Sequence, residues 1–264
     1  MTPPIRLVAI VALMLSCVPP SPLLSLAIAD TQRPDEATLQ RYREQAAKTE
    51  RWEPIPRSIE PGIYGAPPSD AMVLFDGTDL DHWESADSTQ PQWEITDGHL
   101  LVIPGTGNLR TRQTFGDVQL HIEWRTPSAI TGEGQDRGNS GVFLMGRYEV
   151  QVLDSFDNRT YVNGQAASVY KQHIPLVNAS RPPGKWQTYD IIFMAPRFSP
   201  EGLIERPATM TLLHNGVLVQ NNVTLRGPTE YIGEPQYREH GDAPLELQDH
   251  RSAVAYRNIW IREL

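Results

Sequence analysis

After Pro68 this chain shows no helical stripe of three turns, whereas apolar residues recur at every second position in run after run, and this confines it to sheets. In Val118 to Arg125, the residues Val118, Leu120, Ile122 and Trp124 fall on one face and Gln119, His121, Glu123 and Arg125 on the other. In Tyr148 to Leu153, Tyr148, Val150 and Val152 point one way while Glu149 and Gln151 point the other. The same reading gives strands near Met72 to Phe75, Trp93 to Thr96, His99 to Ile103, Val142 to Leu144, Thr188 to Met194, Thr209 to Leu213, Val217 to Gln220, Leu245 to Leu247 and Ala253 to Ile261. Asp97-Gly98 and Asn215-Gly216 separate such runs and signal two-residue hairpins. Many short strands and tight turns mean an all-β domain, a two-sheet sandwich or jelly roll.

A wet outer face is the ordinary reason for such alternation. Here the polar positions carry a histidine, two glutamates and two glutamines rather than the Thr, Lys and Ser of a plain solvated strand, so the two polar faces are expected to line a groove.

The first 29 residues read as a secretory leader: Arg6, an apolar run from Leu7 to Leu15, and the triplet Ala27-Ile28-Ala29 before Asp30. The apolar run falls short of the roughly 20 residues that span a bilayer. Export to the periplasm or beyond follows, with no integral membrane segment in the mature chain. The competing reading, second in rank, lipidates Cys17 after Leu13-Met14-Leu15-Ser16. Cleavage at Ala29 would remove Cys17, the only cysteine, and with it any disulfide or thiol chemistry. A net charge of −9 argues against nucleic acid or an anionic membrane as partner and leaves room for a neutral ligand such as a sugar. Residues 30–68 read as one exposed helix, Pro34 to Glu50, and a Pro/Gly-rich strap from Trp52, ahead of a domain over 69–264.

Several constellations compete for a role. Gly138-Asn139-Ser140-Gly141 lacks the spacing of a nucleophile elbow, so Ser140 is set aside and Asn139 is read as a turn amide able to face a ligand. Asp76, Asp79 and Asp81 could wrap a hard cation, but acidic turns more often cap their own backbone. The scattered histidines form no zinc pair, and no cofactor is expected. Gln248-Asp249-His250 puts a carboxylate beside an imidazole, which suits acid–base work, or else is a turn that satisfies backbone groups. The long connection Ser155 to Trp186, with Tyr161, Tyr170, Lys171 and His173, has the length of a binding loop.

LFDGTDLDHW at Leu74, HIEWRTP at His121, GNSGVFLMGRYEVQVLDSF at Gly138, PPGKWQTYDIIF at Pro182, HNGVLVQNN at His214 and LELQDHRSAVAYRNIWIREL at Leu245 appear in that order. Together they resemble the 3-keto-disaccharide hydrolase family, from Ala71 to Leu264. The resemblance implies a concanavalin A-like jelly roll and cleavage of glycosides already oxidised at C3. A ketone there acidifies the C2 proton, so a base removes it and the C1 substituent leaves, with water adding back. On that reading Glu149 is the base or its close partner, and His250, oriented by Asp249, is the donor to the leaving oxygen. Asn139 and Gln151 would hold the substrate, with Gln248, Glu123, His121 and Lys171 as further binding candidates. Arg251 departs from the family's usual glycine, which bears on how His250 is posed. The runner-up is a non-catalytic, lectin-like sugar-binding module on the same scaffold.

Overall fold

The computed structural model describes residues 34–63, 65–87 and 89–264. The leader, Cys17 and the Ala29 junction lie outside the described residues. The chain divides into two compact units, Met1–Arg57 and Ser58–Leu264. The first holds the helix α1 (Glu36–Ala47), inside the range expected. Asp35 caps it by accepting from the Thr38 N–H at 2.7 Å, and none of its residues is buried. No described helix is long and apolar enough to cross a membrane.

The second unit begins at Ser58, so the end of the Pro/Gly-rich segment belongs with the β domain. Its strands are β1 (Met72–Phe75), β2 (Trp83–Ser85), β3 (Glu94–Thr96), β4 (His99–Leu101), β5 (Leu109–Phe115), β6 (Val118–Arg125), β7 (Ser140–Leu144), β8 (Tyr148–Val152), β9 (Gln187–Met194), β10 (Arg197–Phe198), β11 (Ile204–Arg206), β12 (Thr209–His214), β13 (Val217–Thr224), β14 (Ala243–Leu247) and β15 (Ala255–Glu263). Among the described residues they build an eight-stranded sheet in the order β13-β12-β9-β6-β15-β4-β3, with β1 on β15. A five-stranded sheet runs β2-β5-β14-β7-β8, and β10-β11 form a small ribbon. The two large sheets share one core: the Tyr189 hydroxyl (β9) donates to the Gln151 carbonyl (β8) at 2.7 Å, and the Tyr148 and Phe193 rings meet at 5.3 Å. Among the described residues after Pro68, helix content is limited to two short 3-10 turns, as the pattern requires.

Strands β2, β5, β10 and β11 were not expected from the alternation. In β5 one inward position is Thr111, whose hydroxyl accepts from the Leu245 N–H at 3.0 Å and donates to the Gln113 carbonyl at 2.7 Å. A polar residue satisfied inside the core hides the period. The expected common groove of β6 and β8 does not form, for a simple reason. Both strands turn their apolar faces to the shared core, and because they lie in opposite sheets their polar faces point away from each other.

Gly65, near the end of the strap, lies on the outside of the eight-stranded sheet. There the Gly65 carbonyl accepts from the Asn258 amide at 3.0 Å and from the Trp260 indole N–H at 2.9 Å. Asp70 pairs with Arg262 at 2.7 Å.

Candidate active site

At β8 the outer face of the five-stranded sheet is covered rather than wet, and Glu149 and Gln151 are buried there. β8 is its edge strand, and the segment Ala167 to Tyr170 runs along that edge: Gln151 N–H donates to Ser168 O at 3.0 Å and Tyr170 N–H to Glu149 O at 3.2 Å. From the other side the Thr229 hydroxyl accepts from the Glu149 N–H at 3.0 Å. These two loops roof a cavity of about 270 Å³ whose wall includes Asn139, Glu149, Gln151, Gln248 and His250. Phe143, Tyr170, Thr229 and Tyr231 complete it. Five side chains singled out from sequence therefore meet in one place.

Glu149 is only 5% exposed, and no described group bonds its carboxylate or neutralises its charge. Burial alone pushes its pKa from 4.5 up to about 8. The strand register makes room for it: Phe143 pairs with Glu149 and Gly141 with Gln151. A Cβ on Gly141 would come within 2.7 Å of Glu149 Oε1, so only glycine leaves the carboxylate its place.

The amides beside it are held in fixed orientation. Asn139 Nδ2 donates to the Gln135 carbonyl at 2.7 Å, which turns Asn139 Oδ1 toward Gln151 Nε2 at 3.0 Å. Gln151 Oε1 is thereby left for the cavity. Gln248 is pinned by its backbone, N–H to Gly141 O at 3.0 Å and carbonyl from the Ser140 hydroxyl at 2.5 Å, while its own Oε1 is buried without a partner.

His250 is exposed at the rim, on the turn after β14. Asp249 does not hold its ring, contrary to expectation. The Asp249 carboxylate accepts the N–H groups of Gly105 at 2.6 Å, Gly107 at 3.0 Å and Arg251 at 2.8 Å, so it fixes the backbone of the turn that carries His250. Arg251 sits at φ +62°, the left-handed conformation that glycine adopts freely, so the side chain has not rebuilt the turn.

Three other candidates stand apart from this cavity. His121 and Glu123 lie on the opposite sheet, tied into the strap: His121 Nδ1 meets Asp190 at 2.6 Å, and its ring stacks on Trp260 at 5.3 Å. Burial works against a charged His121, but its hydrogen bonds to Asp190 and Glu123 outweigh that and raise its pKa to about 9. Burial likewise opposes the Glu123 charge, but bonds from His121, Asn258 and Arg257 bring it down to about 2. Lys171 lines a neighbouring cavity, with Nζ donating to the Tyr231 carbonyl at 2.6 Å.

No described group of three or more His, Cys, Asp or Glu side chains is arranged to hold a metal ion. Asp76 instead caps its own turn through Thr78 N–H at 3.0 Å, and Asp79 does so through Asp81 N–H at 3.0 Å. Sequence reasoning missed Thr229 and Tyr231. The one available signal was the Pro/Gly-rich connection between Thr224 and Ala243, long enough for a binding loop.

Residues 70–262 match the family described as the 3-keto-alpha-glucoside-1,2-lyase-like domain. A solved candidate glycosyl hydrolase from Parabacteroides distasonis ATCC 8503 is 50% identical, with 83% of this chain and 96% of that chain covered and a TM-score of 0.80. A second candidate glycosyl hydrolase from the same organism is 18% identical over 74% of this chain and 94% of its own, with a TM-score of 0.54, a likeness of fold. No curated protein matches the chain. With a match that spans most of its length, the chain belongs to the 3-keto-alpha-glucoside-1,2-lyase-like domain family.

Proposed function

We propose that this protein is a carbohydrate-processing enzyme that cleaves glycosides carrying a ketone at C3, and that the cavity around Glu149 is where it does so. The observation that carries this reading is a buried carboxylate with no cation beside it, its pKa near 8, facing a cavity walled by amides. A base of that strength near neutral pH matches a proton made acidic by an adjacent carbonyl. Family membership supports the substrate class.

In the proposed reaction Glu149 takes the C2 proton. The C–H electron pair moves into a C2–C3 double bond and leaves an enediolate oxygen at C3. That pair then forms the C1–C2 double bond as the C1–O bond breaks, and the leaving oxygen takes a proton from His250 at the rim. Water added across C1–C2 yields the free 3-keto sugar. The side chains of Asn139, Gln151 and Gln248 in the cavity wall orient the ring hydroxyls. Ordinary glycosidases work instead with two carboxylates flanking the scissile bond. Among the described residues, Glu149 is the only carboxylate in this cavity wall.

A matched pair tests this: a 3-keto glycoside and its unoxidised parent, incubated in deuterated water. The expected outcome is product from the keto compound alone, with C2 hydrogen exchanged for deuterium. Cleavage of the parent at a comparable rate would overturn elimination, and binding of both without cleavage would make the protein a sugar-binding module.

A further inference from the structure

Two further cavities adjoin the one around Glu149, at different walls. One, of about 500 Å³, shares His250 with it and is lined also by Asp136, Asp249, Arg251 and Ser252. The other, of about 330 Å³, shares Tyr170 and Tyr231 with it and has no residue in common with the His250 cavity. The central cavity, at about 270 Å³, lies just under the roughly 300–1,000 Å³ of typical small-molecule sites, so a ligand larger than one sugar ring extends past one of these walls.

The proposed reaction assigns each wall to one side of the substrate. The leaving oxygen on C1 faces His250, so the leaving group departs on the His250 side, toward Asp136 and Arg251. In a pyranose ring C4 lies across from C1, and C6 hangs from C5 next to C4. The tyrosine wall is therefore left for O4 and O6. A site confined to an unsubstituted, terminal ring needs that side closed, whereas here it adjoins a further cavity.

That cavity is built around tyrosines. Tyr231 is 72% exposed and Tyr161 40% exposed, and isolated exposed aromatics are unremarkable on any surface. These two are held in place. The Lys171 ammonium lies 4.3 Å from the Tyr231 ring centre and 5.9 Å from that of Tyr161, and it also donates to the Tyr231 carbonyl. The Tyr161 and Tyr170 hydroxyls bond each other at 2.5 Å. Lys171 occupies the left-handed region at φ +58°, kept there by Asn163 O on its N–H at 2.8 Å and Arg226 Nη2 on its carbonyl at 3.3 Å. An L-residue in that conformation persists only where its surroundings enforce it, and such positions cluster at ligand sites. One lysine thus pins the 155–173 loop to the 226–240 loop and fixes two aromatic rings.

Charge narrows the ligand further. Two cations, Lys171 and Arg226, and two carboxylates, Glu230 and Glu234, line the tyrosine cavity, and Arg226 pairs with Glu234 at 3.4 Å, so it offers no net charge to recognise an anion. Pinned tyrosine faces without net charge suit the apolar face of a neutral sugar ring.

We propose that the tyrosine cavity holds a neutral sugar carried on O4 or O6 of the oxidised ring, the side away from the leaving group, and that Tyr161 and Tyr231 select it. The oxidised unit is then accepted inside an oligosaccharide as well as at its end. This rests on the proposed cleavage beside Glu149, which sets the direction of the substrate.

Exchange of the C2 hydrogen in deuterated water, followed by NMR at low substrate concentration on the full chain, tests the assignment. Methyl 3-keto glucosides of both anomers are compared with the same compounds carrying a second glucose on O4 or on O6 of the oxidised ring. The better extended compound is expected to exchange about tenfold faster than its unextended parent, the scale of one or two aromatic contacts. Tyr161→Ala should bring that ratio close to one and Tyr161→Phe should keep it, since the ring and not the hydroxyl makes the contact. Tyr231→Ala, a change at a ring 72% exposed, gives a second reading of the ratio and should lower it as well. Thermal unfolding of each variant checks that it folds. A wild-type ratio of one or less, or a ratio that neither alanine variant moves, would overturn this inference and leave the cleavage reading in place. No exchange from any of the compounds would overturn the cleavage reading and this inference with it.

Discussion

The proposed reaction makes Glu149 the base of the cavity it faces, and burial raises its pKa with no described interaction lowering it. Below about pH 8 the group is a neutral acid, and above it a carboxylate able to take a proton. Exchange of the C2 hydrogen of a 3-keto glycoside with solvent, which needs the base and not the donor to the leaving oxygen, should therefore climb with pH and level off above 8. Glu149→Gln keeps the shape and removes the base, so turnover should drop by roughly 10²-fold or more. The rising limb should vanish with it. A variant that kept full activity, or a wild-type exchange profile that falls through pH 8, would take Glu149 out of the base role.

At the scale of elements, the turn from β14 to β15 matters most, because it carries both Gln248 and His250. Asp249 ties it to the β4–β5 connection through Gly105 and Gly107, and Asp249 also closes the turn on Arg251. Arg251 holds a left-handed conformation that costs an L-residue roughly 1–2 kcal/mol. Glycine would remove that cost and lose roughly 0.5–1 kcal/mol in chain entropy. Arg251→Gly should thus raise stability by up to ~1 kcal/mol, seen as a higher urea midpoint with an unchanged slope. A lowered midpoint would mean that the arginine side chain itself stabilises the turn.

For the whole molecule, the two sheets titrate on opposite faces and in a shared direction. His121 on the eight-stranded sheet has a folded pKa near 9, above its ordinary 6.5, so its contribution is complete below pH 6.5 and is lost as pH rises through 9. Glu149 on the five-stranded sheet behaves likewise between 4.5 and 8, since the folded protein favours its neutral form. Glu123 is depressed to about 2, so its contribution is present above 4.5 and lost as pH falls through 2. These three groups place maximal stability near pH 4.5, above which the Glu149 contribution declines and below which that of Glu123 does. Thermal unfolding from pH 4 to 10 should show a midpoint that declines as pH rises, and Glu149→Gln should remove the part of the decline between 4.5 and 8. An identical slope over that range in wild type and variant would contradict the buried, unpaired state of Glu149.

The sequence by itself determined the elements, because period-2 alternation and two-residue turns are local facts: β1 and β6 have the bounds expected, and Asp97-Gly98 and Asn215-Gly216 join β3 to β4 and β12 to β13. It also brought Glu149, Gln151, Asn139, Gln248 and His250 forward, since polar residues on an otherwise apolar strand or at its ends are visible without a structure. Alternation says which side a residue faces and nothing about what covers that side. Only the tertiary structure decided that β6 and β8 face away from each other, which separates His121 and Glu123 from Glu149. It also decided that loops 155–173 and 226–240 close over β8, turning a polar strand face into a buried cavity. Burial is a property of neighbours distant in the chain, and it is burial that moves the Glu149 pKa.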